Sequence, residues 1–128
     1  MEVWLKAVYT ITPSWLIKKK KHFAAGVKNL EKLGFKVINK RPVANLPSTR
    51  RKVAQIHAAF LNKKVEIILA QRGGYSCMKL LPYLDFNLIR NNPKILAGFS
   101  DLSALLNVIC ERTGLITLHS PMVINFSP

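Results

Sequence analysis

Two short loops carry the residues of this chain best suited to chemistry. The first is Gly98-Phe99-Ser100-Asp101, which follows the apolar run Lys94–Gly98 (KILAG) and precedes a helical pattern. A serine on a sharp strand-to-helix turn has the geometry of a nucleophile elbow. Its Oγ stands above the sheet, and the free N–H groups of the helix lie beside it to stabilise an oxyanion. The usual elbow has glycine two residues after the serine, whereas Leu102 holds that position here. Local pattern alone favours a plainer reading, in which Ser100 or Asp101 caps the helix. The second loop is Arg72-Gly73-Gly74-Tyr75-Ser76, directly after Val65–Ala70 (VEIILA). Paired glycines allow positive φ and close approach of a ligand to backbone N–H groups, and they suit a plain tight turn equally well. His22, His57, Cys77, Cys110 and His119 are scattered without zinc-like spacing, so no metal site or cofactor is expected.

The elements that must position these loops follow from alternating periodicities. Val3–Ile11 is β-rich and apolar and ends at Pro13-Ser14, so Val3–Ile17 reads as a buried strand and its exit loop. Phe23, Val27, Leu30 and Leu33 recur at helical spacing over about Ile17–Leu33, and Gly34 supplies the stop. Phe35–Ile38 reads as a short strand, and Lys40–Pro47 as a loop punctuated by Pro42 and Pro47. Ser48 or Thr49 can cap the next helix, whose buried stripe is Val53, Ile56, His57 and Phe60. VEIILA suits a parallel strand buried on both faces. Short helical pieces follow near Met78–Leu81 and Phe86–Asn91. KILAG is the next strand, and Asp101–Thr113 is a helix with Leu102, Leu105, Leu106, Ile109 and Cys110 inward. Gly114 closes it and Leu115–Leu118 is a last strand. Such alternation predicts an α/β fold, a mostly parallel sheet of about five strands with helices on both faces in a flavodoxin- or Rossmann-like sandwich. In sheets of this kind sites form at the carboxyl ends of the strands, where both loops fall.

A chain of 128 residues with 49% hydrophobic and 20% charged residues is globular and sufficient for one core. The apolar amino-terminal stretch is too short to span a bilayer and contains Lys6 and Pro13, and it lacks the features of a secretory signal. No membrane partner is expected. Two cysteines exclude a disulfide scaffold and suit a reducing compartment, most simply the cytoplasm. The net charge of +14 is uneven: +13 over residues 1–64 and +1 over 65–128. That is a solvated basic face or a surface for an anionic partner. The Lys18–Lys21 run has no interleaved aromatics, so nucleic acid would be held only non-specifically and at low salt.

Read together, the loops resemble the LD-carboxypeptidase family of serine peptidases, which includes the microcin-immunity peptidases. The stretches that carry the resemblance are VEIILAQRGGYSCMKLLPYLDFNLIRNNPKILAGFSDLSALL and TGLITLHSPM. The family pattern places an RGGYG loop, an LLPLLD segment, NPK, a GYSD elbow and a TGL…HGPM strand in this order. The earlier chain agrees through Pro13-Ser14, Gly26, Leu30 and Leu33–Val37. The resemblance implies that Ser100 is the nucleophile. It implies that the backbone N–H of Asp101, with that of Gly73 or Gly74, forms the oxyanion hole, and that Arg72, Tyr75 and Ser76 line the substrate. The implied reaction is hydrolysis of an L–D peptide bond that releases a terminal D-Ala from murein tetrapeptides recycled in the bacterial cytoplasm, through an acyl-enzyme.

Departures from the pattern are Ser76 and Ser120 in place of glycine, each adding a Cβ near the site, and Phe99 in place of tyrosine. Thr49-Arg50-Arg51-Lys52 replaces an acidic helix start and opposes the helix dipole. The family's triad is Ser–Glu–His, with Glu and His on a carboxy-terminal domain. Residues 1–128 therefore read as the nucleophile domain alone, with the Glu/His domain absent. His57, on an apolar stripe, reads as packed, and the family does not use the position of His119 as its base. The expectation is a chain that needs a second domain in trans or survives as a non-catalytic, peptide- or partner-binding remnant. Its uncovered apolar edge would favour self-association such as a homodimer. Cys77, beside the site, is a candidate for oxidation.

Overall fold

A computed structural model describes residues 3–40 and 43–127. The expected turn residue Pro42 lies outside the described residues, as does Pro128. Five strands, β1 (Lys6–Ile11), β2 (Phe35–Val37), β3 (Ile67–Ala70), β4 (Ile95–Gly98) and β5 (Thr117–His119), form one sheet in the order β2-β1-β3-β4-β5. Every neighbouring pair is parallel, with Val8 opposite Ile67, Ile67 opposite Ile95 and Gly98 opposite His119. Between the strands lie α1 (Lys20–Lys32), α2 (Thr49–Leu61), the short α3 (Cys77–Leu80) and α4 (Phe86–Asn91), and α5 (Ser103–Thr113).

Alternation along the strands builds two cores. Ile68, Ala70 and Leu96 face α2, α3, α4 and α5 together with Ile56, Phe60, Leu105 and Ile109. Val8, Leu69 and Ala97 face α1, where Phe23, Val27 and Leu30 meet Val123 of a closing 3-10 turn (Val123–Phe126). The centre of VEIILA is thus covered on both faces, as its continuous apolar run requires. Ser48 caps α2 by accepting from the Arg51 N–H at 3.3 Å. Gly114, at φ 74, closes α5 with its N–H on the Cys110 carbonyl.

The structure corrects several boundaries and faces. Val3 and Leu5 are 87% and 67% exposed, and β1 starts only at Lys6, because β2 offers pairing partners no earlier than Phe35. Helix α1 starts at Lys20, not near Ile17, and Leu33, just past its end, is exposed. The β3 ladder includes only the last part of VEIILA, and β5 is shifted to Thr117–His119. Cys110 faces solvent, since it falls off the stripe made by Leu102, Leu105, Leu106 and Ile109. His57 is half-buried at the margin of its stripe, where its Nε2 accepts the Asp85 N–H at 3.0 Å. It packs and orients a neighbouring loop, as expected of a structural histidine.

Candidate functional site

Because all five strands are parallel, the segments leaving their carboxyl ends share one edge of the sheet. Gly98 ends β4 at φ 156, and a Cβ there would stand 2.0 Å from Leu102 Cδ2. Only glycine lets the chain turn so closely over the helix that follows. Phe99 is extended, and Ser100 then takes φ 60, one of two non-glycine residues at positive φ among those described. Left-handed backbone costs a β-carbon residue roughly 1–2 kcal/mol, and here it lifts an exposed serine above the sheet edge. The chain continues as a 3-10 turn (Ser100–Leu102) before α5 begins at Ser103. Neither Ser100 nor Asp101 caps a helix through its own first turn, so the capping reading of this loop does not hold.

The glycine loop after β3 lies against this elbow. Gly73 comes so near that a Cβ on it would sit 3.4 Å from both Cβ and Oγ of Ser100. Gly74, at φ 148, passes the β1 exit loop so tightly that a Cβ would approach Trp15 Cβ to 2.7 Å. Among the described residues, the N–H groups of Gly73 and Gly74 have no protein acceptor. Arg72 is half-buried, and Tyr75 is 73% exposed with its ring edge-on to Trp15. Ser76 sits at φ 86 directly before α3. The sheet edge thereby gathers the predicted residues Arg72, Gly73, Gly74, Tyr75, Ser76, Ser100 and Asp101 into one locale.

Behind the serine lies a polar cluster that sequence reasoning missed. The Asp101 carboxylate accepts from Ser14 Oγ at 2.6 Å and from the Cys77 N–H at 3.2 Å. It therefore caps α3 across the sheet edge and not its own helix. Ser14 Oγ also lies 3.0 Å from Cys77 Sγ, and its carbonyl accepts from Lys52 Nζ at 2.7 Å. Burial pushes the Lys52 ammonium below its ordinary pKa, a shift opposed by the Asp101 carboxylate. Burial pushes the Cys77 thiol up to about 12. Fully buried and un-ionised, Cys77 is protected from oxidation in the folded state, which corrects its expected reactivity. The visible signal was the register of Lys52, four residues before Ile56 on the buried stripe.

Among the described residues, no acid–base pair accompanies the serine. His119 is exposed at the end of β5, paired opposite Gly98 of β4, and its ring meets Phe99 edge-on at 5.8 Å. With Phe99, Ser120, Pro121 and Asn125 it lines an open cleft of about 360 Å³. Among the described residues, no group of three His, Cys, Asp or Glu side chains is arranged to hold a metal ion. Nor is any helix among them long and apolar enough to cross a membrane.

An exposed serine at positive φ, a glycine loop touching it and an ordered set of flanking motifs meet in one known domain. Residues 8–120 match the model of the LD-carboxypeptidase N-terminal domain. The chain belongs to this family. The microcin C7 self-immunity protein of Escherichia coli is 33% identical over 113 residues, covering 84% of this chain and 33% of that protein. The murein tetrapeptide carboxypeptidase of Pseudomonas aeruginosa is 36% identical over 76 residues, 59% of this chain and 24% of the relative. Among solved structures, an MccF-like protein from Bacillus anthracis superposes with a TM-score of 0.87 at 34% identity, over 98% of this chain and 40% of its own. The chain thus spans between 22% and 40% of the length of the curated relatives it matches. Of the substitutions in this LD-carboxypeptidase domain, Ser76 carries a backbone cost in its left-handed conformation. Ser120 does not, since its φ lies outside that region; its N–H pairs with the Gly98 carbonyl at 2.9 Å.

Proposed function

We propose that this chain is the nucleophile-bearing domain of a serine carboxypeptidase that releases a terminal D-amino acid, D-Ala, from murein peptides in the cytoplasm. Ser100 Oγ attacks the carbonyl carbon of the penultimate residue. The N–H groups of Asp101 and of Gly73 or Gly74 receive the oxyanion, while Arg72, Tyr75 and Ser76 line the substrate. Collapse of the tetrahedral species forms an ester on Ser100 and expels the D-amino acid, whose amine takes the proton lost by the serine. Water then hydrolyses the ester. Each oxyanion donor is worth about 2.7–4 kcal/mol in such sites. The observation that carries the reading is the left-handed Ser100 with Gly73 held against its Oγ.

The serine needs a base. Among the described residues none stands beside it, and the Glu and His of the family's triad reside on a carboxy-terminal domain that this reading supplies in trans or by continuation of the chain. The test is to mix the 128-residue chain with the separately expressed carboxy-terminal domain of the Pseudomonas relative and a murein tetrapeptide, and to measure free D-Ala. Release by the mixture that Ser100→Ala abolishes is expected. Peptide binding without any release would leave a non-catalytic remnant instead.

A further inference from the structure

Every strand begins at the edge of the sheet opposite Ser100, and the segments that enter the strands gather there. Val3 and Leu5 lead into β1, Leu33 leads into β2, Leu61 ends α2 ahead of β3, and Ile116 precedes β5. Each valine, leucine or isoleucine that is more than half exposed among the described residues is one of these five. Single aliphatic side chains on a surface need no explanation, but a gathering of them does. Leu5 lies beside the turn that holds Leu33: its N–H donates to the Gly34 carbonyl at 2.7 Å, and a Cβ on Gly34 would stand 3.1 Å from Leu5 Cγ. Ile116 flanks an open cleft of about 440 Å³ that Val65 and Glu66, just before β3, also line. With neighbouring strands about 4.8 Å apart, the five entries form a belt about 19 Å long across the sheet.

The belt is set among cations. Lys32, Arg90 and Arg112 lie in the last turns of α1, α4 and α5, where they complement the helix dipoles. Lys36 in β2, and Lys63 and Lys64 between α2 and β3, are exposed and have no carboxylate partner among the described residues. Of the nearby acids, Glu66 is held by Lys6 and the Ala7 N–H, and Glu31 by Lys40. Helix dipoles and solubility account for the lysines but not for the bare aliphatics between them. Aliphatic side chains flanked by lysines suit a surface that rests on an anionic bilayer. The apolar groups enter the boundary of headgroups and acyl chains, and the ammonium groups stay with the phosphates. A nucleic acid would use the cations and leave the aliphatics in water. No helix among the described residues is long and apolar enough to cross a membrane, and resting on one needs no such helix.

We propose that the strand-entry edge of the sheet docks this chain on the surface of an anionic phospholipid bilayer, with the Val3, Leu5, Leu33, Leu61 and Ile116 side chains in the headgroup region. The Ser100 loops, at the other end of the strands, then face the aqueous phase and stay open to peptides. The docking is independent of the reaction proposed for Ser100, and its test reads binding alone.

The probes are vesicles of phosphatidylcholine and phosphatidylglycerol at about three to one, and vesicles of phosphatidylcholine alone, each sedimented with the full chain. Binding to the anionic vesicles is expected to be tighter by about tenfold or more. Orientation is read from the two tryptophans, since half-buried Trp4 lies in the belt and Trp15 lies against Gly74 at the Ser100 edge. With brominated acyl chains in the vesicles, the chain carrying Trp15→Phe should lose much of its fluorescence and the chain carrying Trp4→Phe little. Leu33→Ser with Leu61→Ser should weaken vesicle binding about tenfold. Lys63→Glu with Lys64→Glu should weaken it by about tenfold or more. Lys18→Glu with Lys19→Glu makes the same change in net charge at the Ser100 edge and should cost no more than about twofold. Melting temperatures check that the variants fold, and the tryptophan reading keeps the five aliphatics intact, so it decides the orientation even if the serine pair unfolds. Equal losses from the two charge reversals, quenching of Trp15 in place of Trp4, or undiminished vesicle binding by the folded serine pair would overturn the proposal. So would a dimer in sedimentation equilibrium that the serine pair dissolves without weakening vesicle binding, which would give the edge to a second copy. Binding of duplex DNA with no affinity for either vesicle would overturn it in favour of nucleic acid.

Discussion

At Gly98 the space for a side chain is already occupied. Leu102, fully buried, fills the position a Cβ would take, and φ 156 is strained for any residue that carries one. Gly98→Ala is therefore expected to destabilise the fold by about 2–4 kcal/mol, through overpacking and backbone strain together. A lower urea midpoint with an unchanged slope would show it; a change under 0.5 kcal/mol, roughly the scatter of neutral substitutions, would contradict the geometry. Ser76, at φ 86, is the converse case. Ser76→Gly relieves left-handed strain, part of which is offset by greater freedom of the unfolded chain, leaving a gain of about 0.5–1 kcal/mol. The two thiols form a third contrast: Cys110 is exposed and Cys77 fully buried. Titration of the native chain with a disulfide reagent should show one fast thiol and a second that reacts only on unfolding.

Between elements, the Asp101 carboxylate ties the β1 exit loop to the start of α3 and hence holds the glycine loop over Ser100. Asp101→Ala leaves the Ser14 hydroxyl and the Cys77 N–H without their acceptor and strips a buried lysine of its nearest carboxylate. A loss of about 2–4 kcal/mol in chemical unfolding is expected, with Asp101→Asn losing clearly less because an amide oxygen still accepts. Equal stability of the Ala and Asn variants would show that the acceptor contributes nothing. This cluster also marks where reading the sequence stops. The strands, the glycine stops and the two loops were legible because each is written in a few consecutive residues: VEIILA, KILAG, Gly34, Gly114. Ser14, Lys52, Cys77 and Asp101 are linked across 87 positions of chain, and no local pattern announces that link. Ser100–Asp101 looked like a helix cap for the same reason, since the donors that claim Asp101 come from other elements. Cys110 shows a smaller failure: helical spacing admitted it to the inner face, and only the tilt of α5 on the sheet decides that Ile109 is buried and Cys110 is not.

Over the whole molecule these buried groups set how stability responds to alkali. Cys77 has an ordinary pKa of 9.0 when unfolded and is pushed up to about 12 by burial in the native state. Below pH 9 both states hold the thiol proton, and the stabilisation this difference represents is fully present. Above pH 9 the unfolded chain releases the proton and the folded chain does not, so stability falls as pH rises toward about 12, by an amount on the order of 4 kcal/mol at the end of the window. Lys52 works in the opposite sense. Its native pKa is held below 10.5, so its buried ammonium costs stability at neutral pH, and that cost fades as pH rises through the lowered native pKa toward 10.5. The Cys77 contribution is isolated by difference: Cys77→Ala should cost stability at pH 7 through lost packing, yet its disadvantage against the parent chain should shrink steadily between pH 9 and pH 11. Parallel curves for the two proteins over that range would mean that the thiol is not held in its neutral form by the core.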